Sequence, residues 1–120
     1  MSRTRNYYTF QNGITGSSNG AEWIVEQQIS DVVILDSDTI AIDISGTSAS
    51  GTVYFEAKTT PDSDYRSIGG IKSSDYSIAT STTGINENWL FDANSIYSFR
   101  CRVSGVISPI NITSKVSKNN

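Results

Sequence analysis

The chain has 120 residues, a formal net charge of -3, one cysteine, two prolines and no histidine. That length suits one domain with a modest core. The missing histidine excludes Ser-His-Asp and Cys-His catalysis and histidine metal ligation, and the lone Cys101 excludes an intrachain disulfide or a thiolate zinc cluster.

Fifteen Ile and seven Val stand against two Leu, six Ala and one Met, with thirty-two Ser and Thr besides. This β-branched excess at the expense of helix formers predicts an all-β domain. Residues 1–20 are polar and turn-rich, with Asn12-Gly13 and Asn19-Gly20 as turn dipeptides. They read as an extended N-terminal arm with at most one short strand, mobile in the free protein. From Trp23 onward the texture changes, and Val32-Val-Ile-Leu35 is a short apolar run closed by Asp36-Ser-Asp38.

The clearest strands follow. Ile40, Ile42 and Ile44 alternate with Ala41, Asp43 and Ser45; beyond the cluster Gly46–Gly51, Val53, Phe55 and Ala57 alternate with Thr52, Tyr54, Glu56 and Lys58. A period of two means one buried and one wet face, and the two runs read as neighbouring antiparallel strands. Thr59–Asp64 is a loop, Tyr65–Ile71 an irregular strand, Asp75–Thr80 a short one and Ser81–Gly84 a loop. Trp89 lies in a strand entering the core. Tyr97, Phe99, Cys101 and Val103 alternate with Ser98, Arg100, Arg102 and Ser104, and Ile110, Ile112 and Ser114 or Val116 form the last strand.

Eight or nine short strands without a helical period predict an antiparallel β-sandwich, Ig-like or jelly-roll-like, or a small barrel. The expected organisation is an arm at 1–20, a sandwich at 21–116 and a polar tail at 117–120. Phe55, Phe99, Ile42 and Val53 are its expected core, with Cys101 beside them as a small buried hydrophobe.

Candidate chemistry is sparse. The carboxylate pairs Asp36/Asp38 and Asp62/Asp64 sit in turns, where Asp serves local backbone donors, and nothing near them favours the raised pKa of a general acid. They lack the glycine and distal Glu of a full EF-hand loop, so no metal site and no cofactor are expected. Arg100 and Arg102, with Arg66 and Lys58, suggest a positive strip. The acidic chain makes pairing with Glu56 and Asp43 across the sheet the expected fate of the arginines, not nucleic-acid binding. Arg3, Arg5, Tyr7, Tyr8 and Phe10 are the candidate partner-binding residues: guanidinium groups pair bidentately with carboxylates, and tyrosines bring large contact area at low entropic cost.

Thr39-Ile-Ala-Ile-Asp-Ile-Ser-Gly46, Gly51-Thr-Val-Tyr-Phe-Glu-Ala57, the loop Asp62–Ile68 and Tyr97-Ser-Phe-Arg-Cys-Arg-Val-Ser-Gly105 occur in that order. Over residues 20–116 this resembles the small β-sandwich structural proteins of tailed bacteriophages. The resemblance implies a noncatalytic virion role, as a capsid decoration or head-tail or tail accessory protein. It also implies a symmetric set of copies contacting the major capsid or tail protein. A carbohydrate-binding or host-adhesion module, using loop Tyr and Trp rings, is the alternative. No apolar run reaches the roughly 18–20 residues of a membrane span, and Met1-Ser-Arg-Thr-Arg5 leads into polar sequence instead of a signal core. The expected protein is therefore soluble, made in a host cytoplasm, located in the virion and without membrane or nucleic-acid partners.

Overall fold

The computed structural model describes residues 4–18, 22–24, 26–29, 32–36, 39–93 and 96–119. Among these the strands are β1 (Thr4–Ser18), β2 (Glu22–Ile24), β3 (Glu26–Ile29), β4 (Val32–Asp36), β5 (Thr39–Gly46) and β6 (Thr52–Lys58). They continue as β7 (Arg66–Ser67), β8 (Gly70–Lys72), β9 (Ile78–Ala79), β10 (Ser81–Thr82), β11 (Glu87–Asp92) and β12 (Ser98–Asn119). The chain is all-β and antiparallel, as the composition predicts.

β12 organises the molecule. Along one edge it pairs with β1, from Thr4↔Asn119 to Ser18↔Val103, and then with β2 at Trp23↔Phe99. Along the other edge it pairs with β5, from Thr39↔Ser117 to Gly46↔Ile110, and then with β6, from Thr52↔Ser104 to Lys58↔Ser98. β5 and β6 are therefore not the neighbouring antiparallel pair that was expected. The chain keeps its direction across residues 47–51 and resumes pairing with β12 farther along. β11 and then β8 and β9 extend the β5 side, while β7 and β10 share the outer edge of β6. β3 and β4 form a separate two-stranded sheet.

The layers come from bending one ten-stranded sheet, where a sandwich of two sheets was expected. Phe99, Cys101 and Val103 point into the core from odd positions of β12, whereas Val106, Ile110 and Ile112 do so from even ones. The change of parity falls where Val103↔Ser18 is followed by Val106↔Gly16, so that Ser104 and Gly105 of β12 face Ser17 alone on β1. That is a β-bulge, which bends a strand and increases its twist. Gly105 takes φ 67 there, a left-handed conformation that glycine adopts without strain, and its N–H donates to Ser17 Oγ at 2.8 Å. Opposite the bend, Ser50 Oγ accepts from the N–H groups of Ile107 and Ser108, each at 3.0 Å. Gly51, at φ 69, lies so close that a Cβ would meet the Ser104 carbonyl oxygen at 2.5 Å.

The bend lays β6 over β11. The Phe55 ring sits 5.1 Å from Trp89 and 4.9 Å from Phe91, and Phe91 sits 4.8 Å from Phe99. Phe55, Phe99, Ile42 and Val53 are buried as expected, with Ile40, Ile44, Cys101, Ile110 and Ile112 around them. Each fully buried large side chain contributes about 1.5–3 kcal/mol. Glu87 on β11 rivets the two layers. Its carboxylate accepts from Thr82 Oγ1 of β10 at 2.6 Å and from Trp89 Nε1 at 3.1 Å, and it pairs with Lys72 Nζ at 3.1 Å.

The extended arm is the second correction. Thr4–Ser18 is a strand, paired along its length with β12. The dipeptide Asn12-Gly13 does supply a positive φ, 68 at Gly13, but inside the strand and not at a chain reversal. The register slips there, between Gln11↔Ile112 and Ile14↔Ile110, and Asn111 Oδ1 accepts the Gly13 N–H at 2.9 Å. Pairing with 103–119 consumes backbone donors and acceptors that a free arm would leave to water.

Candidate partner-binding surface

The outer face of β6 and the first part of β12 gathers charge and rings. Arg100 stands opposite Glu56 in register, and its Nε donates to Glu56 Oε1 at 2.8 Å. Arg102 Nε reaches the same carboxylate at 3.4 Å. The Glu56 part of the expected cross-sheet pairing is thus present, whereas Asp43 stands opposite Asn88 and Thr113. The guanidinium groups also stack: Arg100 lies 4.0 Å from the centre of the Tyr65 ring and Arg102 4.1 Å from that of Tyr54. Such cation–π contacts stiffen a surface side chain that would otherwise sample many rotamers. Tyr65 is anchored in turn, its hydroxyl 2.5 Å from the Oγ of buried Ser98.

Lys58 ends β6 beside this network. Its Nζ lies 5.1 Å from the Tyr65 ring centre and 6.0 Å from that of Tyr97, and donates to the Pro61 carbonyl at 3.4 Å. The pairing Ala57↔Arg66 brings Arg66 to the same rim. Between them opens a cleft of 260 Å³ with Ala57, Ile68 and Ile96 among its lining and Asp64 also at its border. The sequence places Lys58 and Arg66 in a positive strip; the cleft between them appears only when the loop returns to the strand it left.

The other titratable groups hold the fold together. Burial pushes the Glu87 carboxyl up, but hydrogen bonds from Thr82, Trp89 and Lys72 outweigh it and leave the pKa below the usual range. The same contact raises the Lys72 ammonium. Asp75 is lowered by hydrogen bonds from the Ser77 hydroxyl and N–H, a local turn. Burial pushes the Cys101 thiol strongly up, so it stays protonated and packs as a hydrophobe.

Of the partner-binding residues expected in the arm, Arg3 lies outside the described residues. Arg5, Tyr7, Tyr8 and Phe10 lie in β1, opposite Lys118, Val116, Lys115 and Thr113. They are spread along the opposite part of β12 from the Arg100–Glu56 network. Of the carboxylate pairs, Asp38 lies outside the described residues, Asp36 ends β4 and Asp62 and Asp64 lie in the loop before β7.

No curated protein matches the chain. The crystal structure of SPBc2 prophage-derived protein YomS superposes with a TM-score of 0.79 at 21% identity, covering 98% of this chain and 96% of that one. The crystal structure of PBSX exported protein XepA superposes with a TM-score of 0.80 at 19% identity, covering 98% of this chain and 38% of that one. The bent ten-stranded sheet therefore corresponds to nearly all of the first relative and to little more than a third of the second. A family model described as XepA matches residues 5–115, from the second residue of β1 into the last turn of pairing between β12 and β5. The chain belongs to the XepA family.

Proposed function

We propose that this protein is a noncatalytic structural component of a tailed phage or prophage particle, present in several copies, as a capsid decoration or head-tail or tail accessory protein. The observation that carries the reading is the family match over residues 5–115. The two solved relatives support it, one named prophage-derived and the other an exported protein of PBSX. The chemistry of the side chains agrees. The sequence has no histidine, Cys101 is buried and protonated, and Glu87 is committed to three hydrogen-bonded partners.

Binding of glycans by stacking is the second reading. Tyr54 and Tyr65 each already carry a guanidinium group against the ring, whereas Tyr76 is 80% exposed and open to such a contact. Density-gradient sedimentation of particles separates the two readings. The structural reading expects the protein in the particle band at fixed stoichiometry. Recovery in the supernatant alone, with cell-wall glycans retarding the free protein, would replace it with the adhesion reading.

A further inference from the structure

The cleft between Lys58 and Arg66 is held open by the protein itself. Two backbone bonds tie its walls: the Ile68 N–H donates to the Phe55 carbonyl at 3.0 Å, and the Tyr97 N–H to the Lys58 carbonyl at 2.9 Å. Ser63 closes its loop, where Oγ accepts from the N–H groups of Thr59 and Thr60 at 3.2 and 3.1 Å and donates to the Thr60 carbonyl at 3.0 Å. A site organised in this way loses little freedom when it is filled.

Its chemistry narrows the ligand. Among the described residues, Arg100 and Arg102 share Glu56 and Lys72 pairs with Glu87, whereas Lys58 and Arg66 enter no ion pair. Lys58 Nζ meets the Pro61 carbonyl and two tyrosine rings. An ammonium has three donors and a guanidinium five, so both can still serve an anion. Ala57, Ile68 and Ile96 give the cleft an aliphatic floor, and Asp64 on its border leaves it one positive charge in excess. One carboxylate balances that excess, while a phosphate dianion would also face Asp64. A sugar ring would want an open aromatic face, and the Tyr65 ring already carries Arg100. The volume, 260 Å³, lies below the roughly 300–1,000 Å³ of pockets that bury drug-sized ligands. It has room for one large side chain and none for a strand or a helix.

One aliphatic side chain beside one carboxylate is what the last residue of a polypeptide offers. We propose that the cleft captures the C-terminal residue of another particle protein, an apolar residue whose free carboxylate meets Lys58 and Arg66. This deepens the structural reading and rests on it for the partner's being a particle protein.

Fluorescence anisotropy of a labelled short peptide ending in Leu with a free carboxylate, titrated with the full chain, tests the proposal. Saturable binding is expected, weaker as salt screens the ion pairs. The same peptide as its C-terminal amide should bind about tenfold more weakly or worse, because the charge-assisted bonds are lost. A terminal Ser in place of Leu should also weaken binding, because it leaves the apolar floor uncovered. Lys58→Gln with Arg66→Gln should repeat the effect of the amide at an unchanged melting temperature, and Arg66→Gln alone, at an exposed position, should move in the same direction. No saturation, an amide that binds as tightly as the acid, or a double variant that binds as well as the wild type would each overturn the capture. Inorganic phosphate that displaces the peptide at equal concentration would replace it with a plain anion site. A chain found in the particle band that ignores the peptide would sink the capture and leave the structural reading intact. A chain absent from particles that binds the peptide as described would do the opposite.

Discussion

The two halves of the bent sheet share an interior and differ outside. On the half built on β6 and the start of β12, Glu56, Arg100, Arg102, Tyr54 and Tyr65 interlock by ion pairs and ring contacts. On the half built on β5 and β11, the outer face shows Leu90, Ile71 and Ile78, 49%, 41% and 74% exposed. Those three are cross-strand neighbours, Leu90 opposite Ile71 and Ile71 opposite Ile78. The inner faces have no such freedom: Phe55, Phe91 and Phe99 meet across the bend and must fit one another. A substitution facing inward is therefore felt by both layers, whereas one facing outward is felt by its own face.

The sharpest way to break this comparison is at the shared interior. Phe99→Ala should cost about 3–5 kcal/mol in denaturant unfolding, the range for a buried phenylalanine. A near-neutral result would show that the two layers do not share a core. At the bend, Gly51→Ala forces a Cβ against the Ser104 carbonyl and imposes a left-handed φ on a non-glycine residue. A loss of about 1–3 kcal/mol is expected, with unfolding remaining a single transition. Two transitions would mean that the halves fold separately.

Glu87→Gln tests the rivet between layers and should cost about 1–2 kcal/mol at pH 7, the scale of hydrogen bonds to a charged group. Its pH dependence has a definite sign. The folded pKa lies below the unfolded value, which is about 4.3 for Glu. The contribution is thus present above that unfolded value and lost as pH falls through the folded one. Stability curves of wild type and Glu87→Gln should converge on acidification below about pH 4; parallel curves would remove the carboxylate from the account. Leu90→Thr is the smallest expected effect, within about 0.5 kcal/mol for a surface site, with solubility rising as the exposed apolar strip is interrupted. A loss of several kcal/mol would show that this outer face is packed against something in the folded protein.

The core was legible because it obeys a local rule. Ile40, Ile42 and Ile44, then Val53 and Phe55, then Phe99, Cys101 and Val103 face inward on a period of two that the backbone of a strand imposes by itself. The Arg100–Glu56 pair was legible for a related reason, since both lie on the outward phase of strongly alternating strands. Asn12-Gly13 misled because a left-handed glycine serves a bulge as well as a turn. Only the pairing of β1 with residues 103–119 distinguishes them. The Lys58/Arg66 cleft was hidden because it depends on β7 folding back onto Ala57 of β6.

Composition and periodicity by themselves determined that this chain is all-β, that it lacks the side chains of histidine-based catalysis, and which faces of its strong strands are buried. Tertiary structure decided the rest: that β5 and β6 follow one another along β12, that the residues read as an arm are its longest partner strand, and that one sheet bends into two layers. The division follows from range. Which way a side chain points is set by its own strand, whereas which strand it joins is set by the whole register of β12. One extra residue at the Gly105 bulge exchanges the inward and outward faces of everything beyond it.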